Sequence, residues 1–109
     1  MSTSTLKNER LEELLKHLAA EFVSLNSNRV SMITVTRVAC AEKSNKATVF
    51  FTVMPESKEP AALDFLQRNL SEFRAYVKYN ARLMRLPFFD FAVDKGEKAR
   101  QRIDESLAK

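Results

Sequence analysis

Five cationic side chains, Arg68, Arg74, Lys78, Arg82 and Arg85, fall within residues 66–86, where Glu72 is the single acid. That segment nets +4, which is also the net charge of all 109 residues, so the rest of the chain is electrically balanced. Guanidinium and ammonium groups gathered in this way bind phosphate oxygens, and a basic stretch without interleaved acids is the electrostatic footprint of a nucleic-acid surface. On a helix turning about 100° per residue, Arg74, Lys78, Arg82 and Arg85 share one side within about 80° of each other. Phe73, Tyr76, Val77, Leu83 and Met84 fall on the opposite side. The spacing predicts a cationic column on one face and a core-facing stripe on the other.

Other reactive residue types are sparse. His17 stands alone, and no Cys/His cluster with metal-ligand spacing accompanies it, so neither a metal nor a cofactor is expected. Cys40 has no base partner in the pattern and reads as a buried strand residue. The lone cysteine excludes an internal disulfide. Glu12 with Glu13, and Asp104 with Glu105, are adjacent carboxylates of the kind found on solvated helix surfaces. No phosphate-binding loop, dinucleotide fingerprint or nucleophile elbow is present, and an enzyme is not expected. Tyr76 and Tyr79 are the aromatics that could stack on bases, Tyr76 being core-facing and Tyr79 nearer the boundary. Phe50, an aromatic on the polar side of its strand, is expected to pack under a helix.

The elements that must position these groups follow from periodicity. Leu11, Leu14, Leu15, Leu18, Phe22 and Leu25 predict a helix over 5–25, capped by Ser4 or Thr5 and ended by Asn26, Ser27, Asn28 and Arg29. Residues 31–40 are rich in β-branched side chains, but Ile33 and Val35 have one parity and Val38 and Cys40 the other. A bulge near Thr36 and Arg37, or burial on both faces, accounts for that slip. Residues 46–54 alternate, with Ala47, Val49, Phe51 and Val53 inward and Lys46, Thr48 and Thr52 outward, and the short 41–45 link makes the two strands a hairpin. Pro55 and Pro60 flank a helix start with Ser57 as cap. The apolar face then continues to Leu86, but about 28 helical residues would form a rod of about 42 Å. A compact chain of this length has a diameter of about 34 Å, so a break is expected, at Asn69, Leu70 and Ser71. Pro87 ends the region, 88–93 is a third strand with Phe89, Phe91 and Val93 on one face, and a last helix covers 97–107. The composition is that of one domain over 1–109, with no apolar run of membrane-spanning length and no signal-peptide core in the opening residues. The cytoplasm is the expected compartment.

The order α-β-β-α-(break)-α-β-α, with a cationic segment leading through proline into an aromatic strand, resembles the ribosome-binding factor A family. The matching stretches are ITVTRV at 33–38, KATVFFTV at 46–53 and FRAYVKYNARLMRLPFFDF at 73–91, followed by Asp94, Arg102 and Ile103. The resemblance implies an α+β, type II KH-like fold in which a helix–kink–helix bearing Ala-x-Gly replaces the GxxG loop. Here Asn69, Leu70 and Ser71 stand at those positions, and Asn26, Ser27, Asn28 and Arg29 stand where the family often has Asp-Pro-Arg. It further implies an RNA-binding ribosome biogenesis factor that binds the immature small ribosomal subunit and its ribosomal RNA, near the 5′ end and the decoding region. Such a factor would assist late rRNA processing and maturation, with low temperature as the sensitive growth condition. Its phosphate contacts would be Arg68, Arg74, Lys78, Arg82 and Arg85, with the kink residues Asn69 and Ser71 either presented to RNA or serving as local caps. A monomer is the expected state. Two other readings fit the residues: a KH-like domain for another RNA, and a protein-interaction module whose basic helix meets an acidic partner.

Overall fold

A computed structural model describes residues 3–26, 32–41, 43 and 45–108, and of these the side chains within 9–101. Residues 27–29 and the side chains of Ser4, Thr5, Arg102, Ile103, Asp104, Glu105 and Leu107 lie outside the described residues. Helix α1 spans Thr3–Asn26, strand β1 Met32–Ala41, strand β2 Lys46–Met54, helix α2 Glu59–Arg68, helix α3 Leu70–Asn80, strand β3 Phe88–Val93 and helix α4 Lys95–Ala108. A single 3-10 turn, Glu56–Lys58, precedes α2. The strands form one mixed sheet in the order β1-β2-β3, with β1 antiparallel and β3 parallel to β2. The parallel pairing follows from the helical crossover between β2 and β3. This is the expected α+β arrangement.

The parity slip in β1 is a bulge. Val35 pairs with Phe51 and Arg37 with Phe50, leaving Thr36 as the extra residue. The bulge returns Val38 to the inner face that Ile33 and Val35 occupy. On that face Ala47, Val49, Phe51, Val53 and Phe91 are buried against Leu15, Leu18, Phe22, Leu66, Phe73 and Val77 from the helices. Phe73 is the hub, with ring centroids 5.3 Å from Phe22, 4.9 Å from Phe89 and 5.5 Å from Phe91. Contacts of this tilted and edge-on kind favour aromatic packing beyond the area they bury.

Several expectations need correction. The α1 stripe is rotated toward Ala19 and Val23, which are buried, while Leu14 and Leu25 are exposed. The helix begins at Thr3, so Ser4 and Thr5 lie within it. Ser57 sits in the 3-10 turn, and the start of α2 has no side-chain cap. Thr52 faces outward as expected but is buried, because residues 53–56, Glu59 and α4 residues Lys98 and Gln101 gather around it. Phe50 packs under the Arg37 guanidinium, 3.8 Å above its ring, and not under a helix.

The largest correction concerns the long helix. The expected break is present, at Asn69 (φ −103°, ψ 15°), with Leu70 and Ser71 already in α3, but α3 stops at Asn80, well before Pro87. Ala81 is already extended, at φ −135° and ψ 141°. Three helices finish on the same device: the side-chain amides of Asn26, Asn69 and Asn80 donate to the carbonyls of Phe22, Phe65 and Tyr76, each at 2.8 Å. Each amide adds a donor to the carbonyl four residues before it, in the last turn of its helix.

Candidate nucleic-acid interface

The cationic side chains do not form one helical column. Arg74 and Lys78 lie one turn apart on α3, whereas Arg82 and Arg85 belong to the non-helical segment 81–87. Met84, expected in the core, is fully exposed, and Tyr79 at the end of α3 is 90% exposed. Helical spacing could not place residues beyond the point where the helix stops.

The five cations also differ in what they already hold. Arg68 Nη2 lies 2.9 Å from Asp64 Oδ2 across one turn of α2. Arg74 Nη1 donates to the Pro87 carbonyl at 2.7 Å and so ties α3 to the start of β3. Lys78, Arg82 and Arg85 are exposed and make no ion pair or side-chain hydrogen bond among the described residues. Cations of that kind keep their whole bonding capacity for a phosphate. Asn69, by contrast, spends its side-chain amide on Phe65, and its backbone N–H reaches the Phe65 and Leu66 carbonyls at 3.2 and 3.1 Å. Its carbonyl accepts the Phe73 N–H, which starts α3. Leu70 packs against the core and Ser71 is exposed in the first turn of α3.

The fold brings further groups to segment 81–87. Asn45, the one non-glycine residue with positive φ (50°) among the described residues, accepts the Phe88 N–H at 2.8 Å and reaches the Leu86 carbonyl at 3.4 Å. The β1–β2 turn, with exposed Lys43 and Lys46, therefore lies at the same end as the basic segment. Lys46 pairs in register with Phe88, and its ammonium is 3.6 Å from Asp90. The sequence reading missed these lysines because a cross-sheet pairing some forty residues apart leaves no local trace.

The bulge, the third strand and α4 meet at Asp94. Its carboxylate is 3% exposed and accepts the Thr36 hydroxyl at 2.6 Å, the Arg37 Nε–H at 3.3 Å and the Glu97 N–H at 3.0 Å. The last of these caps α4. Burial pushes the Asp94 carboxyl up, but the Thr36 and Glu97 hydrogen bonds and the Arg37 charge outweigh it and hold the group below its ordinary value.

The remaining titratable groups act as ties between elements. Glu12 is not merely solvated: it accepts the Cys40 N–H at 2.8 Å on the outer edge of β1. Cys40 is half-buried, and burial together with the Glu12 charge raises its thiol, which opposes thiolate chemistry. His17 Nε2 is 2.9 Å from Glu21 Oε1, and Tyr76 donates its hydroxyl to Glu21 Oε2 at 2.9 Å. That hydrogen bond, then burial and the Glu21 charge, raise the Tyr76 phenol. Lys98 is bonded by Glu56 and Glu59, which raise it. No group of three or more potential metal ligands occurs among the described residues, and no described helix is long and apolar enough to cross a membrane.

Comparison with known proteins accords with this architecture. The crystal structure of ribosome-binding factor A from Thermus thermophilus superposes with a TM-score of 0.70 at 25% identity, over 79% of this chain and 93% of that one. The solution structure of a Thermotoga maritima protein, assigned as a candidate ribosome-binding factor A, gives a TM-score of 0.67 at 26% identity, over 83% and 89%. No curated protein sequence matches the chain significantly. The sequence model of the family described as ribosome-binding factor A matches residues 7–107, and with nearly the whole length covered, this chain belongs to the ribosome-binding factor A family.

Proposed function

We propose that this protein binds the immature small ribosomal subunit through its ribosomal RNA, near the 5′ end and the decoding region, and assists late maturation. It acts in the cytoplasm as a monomer, by binding and without nucleotide hydrolysis. The observation that carries the reading is the set Lys78, Arg82 and Arg85, exposed and without a partner among the described residues, in a chain of a ribosome-binding family. Arg74 supports the site in a different way, since its bond to Pro87 anchors the segment that bears Arg82 and Arg85. Arg68 contributes less, being paired with Asp64.

The test is sedimentation with cell extracts, followed by titration with purified small subunits at several salt concentrations. The protein should travel with free small subunits and be absent from translating ribosomes, and a strain lacking it should grow poorly in the cold. Lys78→Ala, Arg82→Ala and Arg85→Ala together should weaken binding and lower the salt slope by about 0.7 to 0.9 per lost phosphate contact. Migration with unrelated RNA, or with an acidic protein and no RNA, overturns the assembly reading. An unchanged slope in the triple variant overturns the assignment of these three cations.

A further inference from the structure

The outer face of the sheet, opposite α1, α2 and α3, carries two phenylalanines in different states. Even-numbered residues of β2 and β3 point that way, so Phe50 and Phe88 share it with Lys46, Thr48, Asp90 and Ala92. The Phe50 ring is already covered: the Arg37 guanidinium lies 3.8 Å above it and is held there by Asp94. Phe88 is 67% exposed, and the nearest described guanidinium carbon, that of Arg74, is 5.8 Å from its ring centroid. Folding gains little by leaving two-thirds of a phenyl ring in water. Yet the backbone here is fixed on both sides. The Phe88 N–H donates to Asn45 at 2.8 Å, and the preceding Pro87 carbonyl accepts Arg74 at 2.7 Å. The ring is thus presented from a rigid strand end, with its side chain uncovered.

Its surroundings are cationic. Lys46 is its cross-strand partner, Arg74 adjoins it, and Arg85 lies three residues before it on the segment that feeds the strand. Among the described residues one acid contacts this group: Asp90, two residues on, which takes Lys46 at 3.6 Å and the Gln67 amide at 2.9 Å. An exposed aromatic flanked by cations is the pairing that binds single-stranded RNA, the ring stacking on a base while the cations hold the phosphates either side of it. We infer that Phe88 is a stacking site for one unpaired nucleobase, flanked by Arg74 and Lys46. This inference rests on the RNA-binding reading above and adds to it the class of RNA: a single strand with an accessible base, rather than a duplex held through phosphates alone.

The experiment uses the full chain with two probes of equal length and charge, a ten-nucleotide oligoadenylate and the corresponding abasic ribose-phosphate strand. Phe88→Ala should lose about tenfold or more in affinity for oligoadenylate, and Phe88→Tyr should keep it. On the abasic strand Phe88→Ala should bind as wild type does, and its salt slope on either probe should be unchanged. Phe88→Leu, which keeps apolar bulk without a π face, should behave as the alanine variant and separates stacking from a loss of folding. If Phe88→Ala binds oligoadenylate as tightly as wild type while the Lys78/Arg82/Arg85 variant loses slope, stacking is overturned and the phosphate site stands. If wild type binds neither strand in a salt-dependent way, the stacking site and the RNA reading fall together.

Discussion

At Asp94 a buried carboxylate is kept ionised by a hydroxyl, a backbone amide and a guanidinium that come from the β1 bulge and the first turn of α4. The linkage has a definite sign. Because the folded group sits below its ordinary value of 3.8, its contribution to stability is complete above that value and is lost as the pH falls below it. Asp94→Ala removes the α4 cap and leaves Thr36 and Arg37 without their acceptor, for an expected cost of about 2–4 kcal/mol at neutral pH. Asp94→Asn keeps the shape but sets an amide against Arg37. Urea unfolding across the acid range should show wild-type stability declining below the ordinary carboxylate value, with this part of the decline absent in both variants. The same residue explains why Phe50 is covered, since it is Asp94 that fixes Arg37 over the Phe50 ring.

Among the elements, the break between α2 and α3 shows what the chain requires there. The resemblance suggested a glycine-dependent distortion at 69–71. Yet Asn69 has a negative φ, and Ser71 is helical, with no positive φ among the described residues apart from Asn45. Nothing at this kink calls for glycine's freedom. Ser71→Gly is therefore expected to destabilise the protein by about 0.5–1 kcal/mol, with no gain from a relaxed bend, as read by thermal or urea unfolding. The strands, the hairpin and the bulge were legible because period-2 alternation records burial directly, including its slip at Thr36. The end of α3 was not. Leu83 and Leu86 keep helical spacing after Asn80, but they reach the core from a non-helical segment, and spacing alone cannot distinguish the two. The cationic column failed for that reason, although the five cations themselves were visible in the composition of one stretch. Phe88, Lys43 and Lys46 gained their setting only from the register of β2 with β3.

For the whole molecule, each edge strand of the sheet has backbone groups that are taken by the chain's own side chains. On β1, Glu12 takes the Cys40 N–H. On β3, Gln67 donates to the Phe91 carbonyl at 3.1 Å, Asp90 accepts the Phe91 N–H at 2.9 Å, and Arg74 covers Pro87. Free edge groups are the template for strand-to-strand association between copies, and blocking them disfavours it. Light scattering during size-exclusion chromatography should return the mass of one 12.5 kDa chain across a wide concentration range. A concentration-dependent doubling would contradict this account of the edges. The arrangement leaves the cationic end, with segment 81–87 and the β1–β2 turn, as the surface offered outward.

The asparagine ends of α1, α2 and α3 make three helix ends depend on an intact side-chain amide. Asparagine is among the residues most prone to slow hydrolysis, and loss of its amide turns a donor into a carboxylate. At Asn26, Asn69 or Asn80 that carboxylate would face a carbonyl oxygen it cannot bond, at the helix pole where negative charge is already disfavoured. Asn80 has a second effect, because it lies between Lys78 and Arg82. Asn80→Asp is therefore expected to loosen the end of α3 and to subtract one charge from the cationic segment, both readable as a lower unfolding midpoint and a shifted isoelectric point.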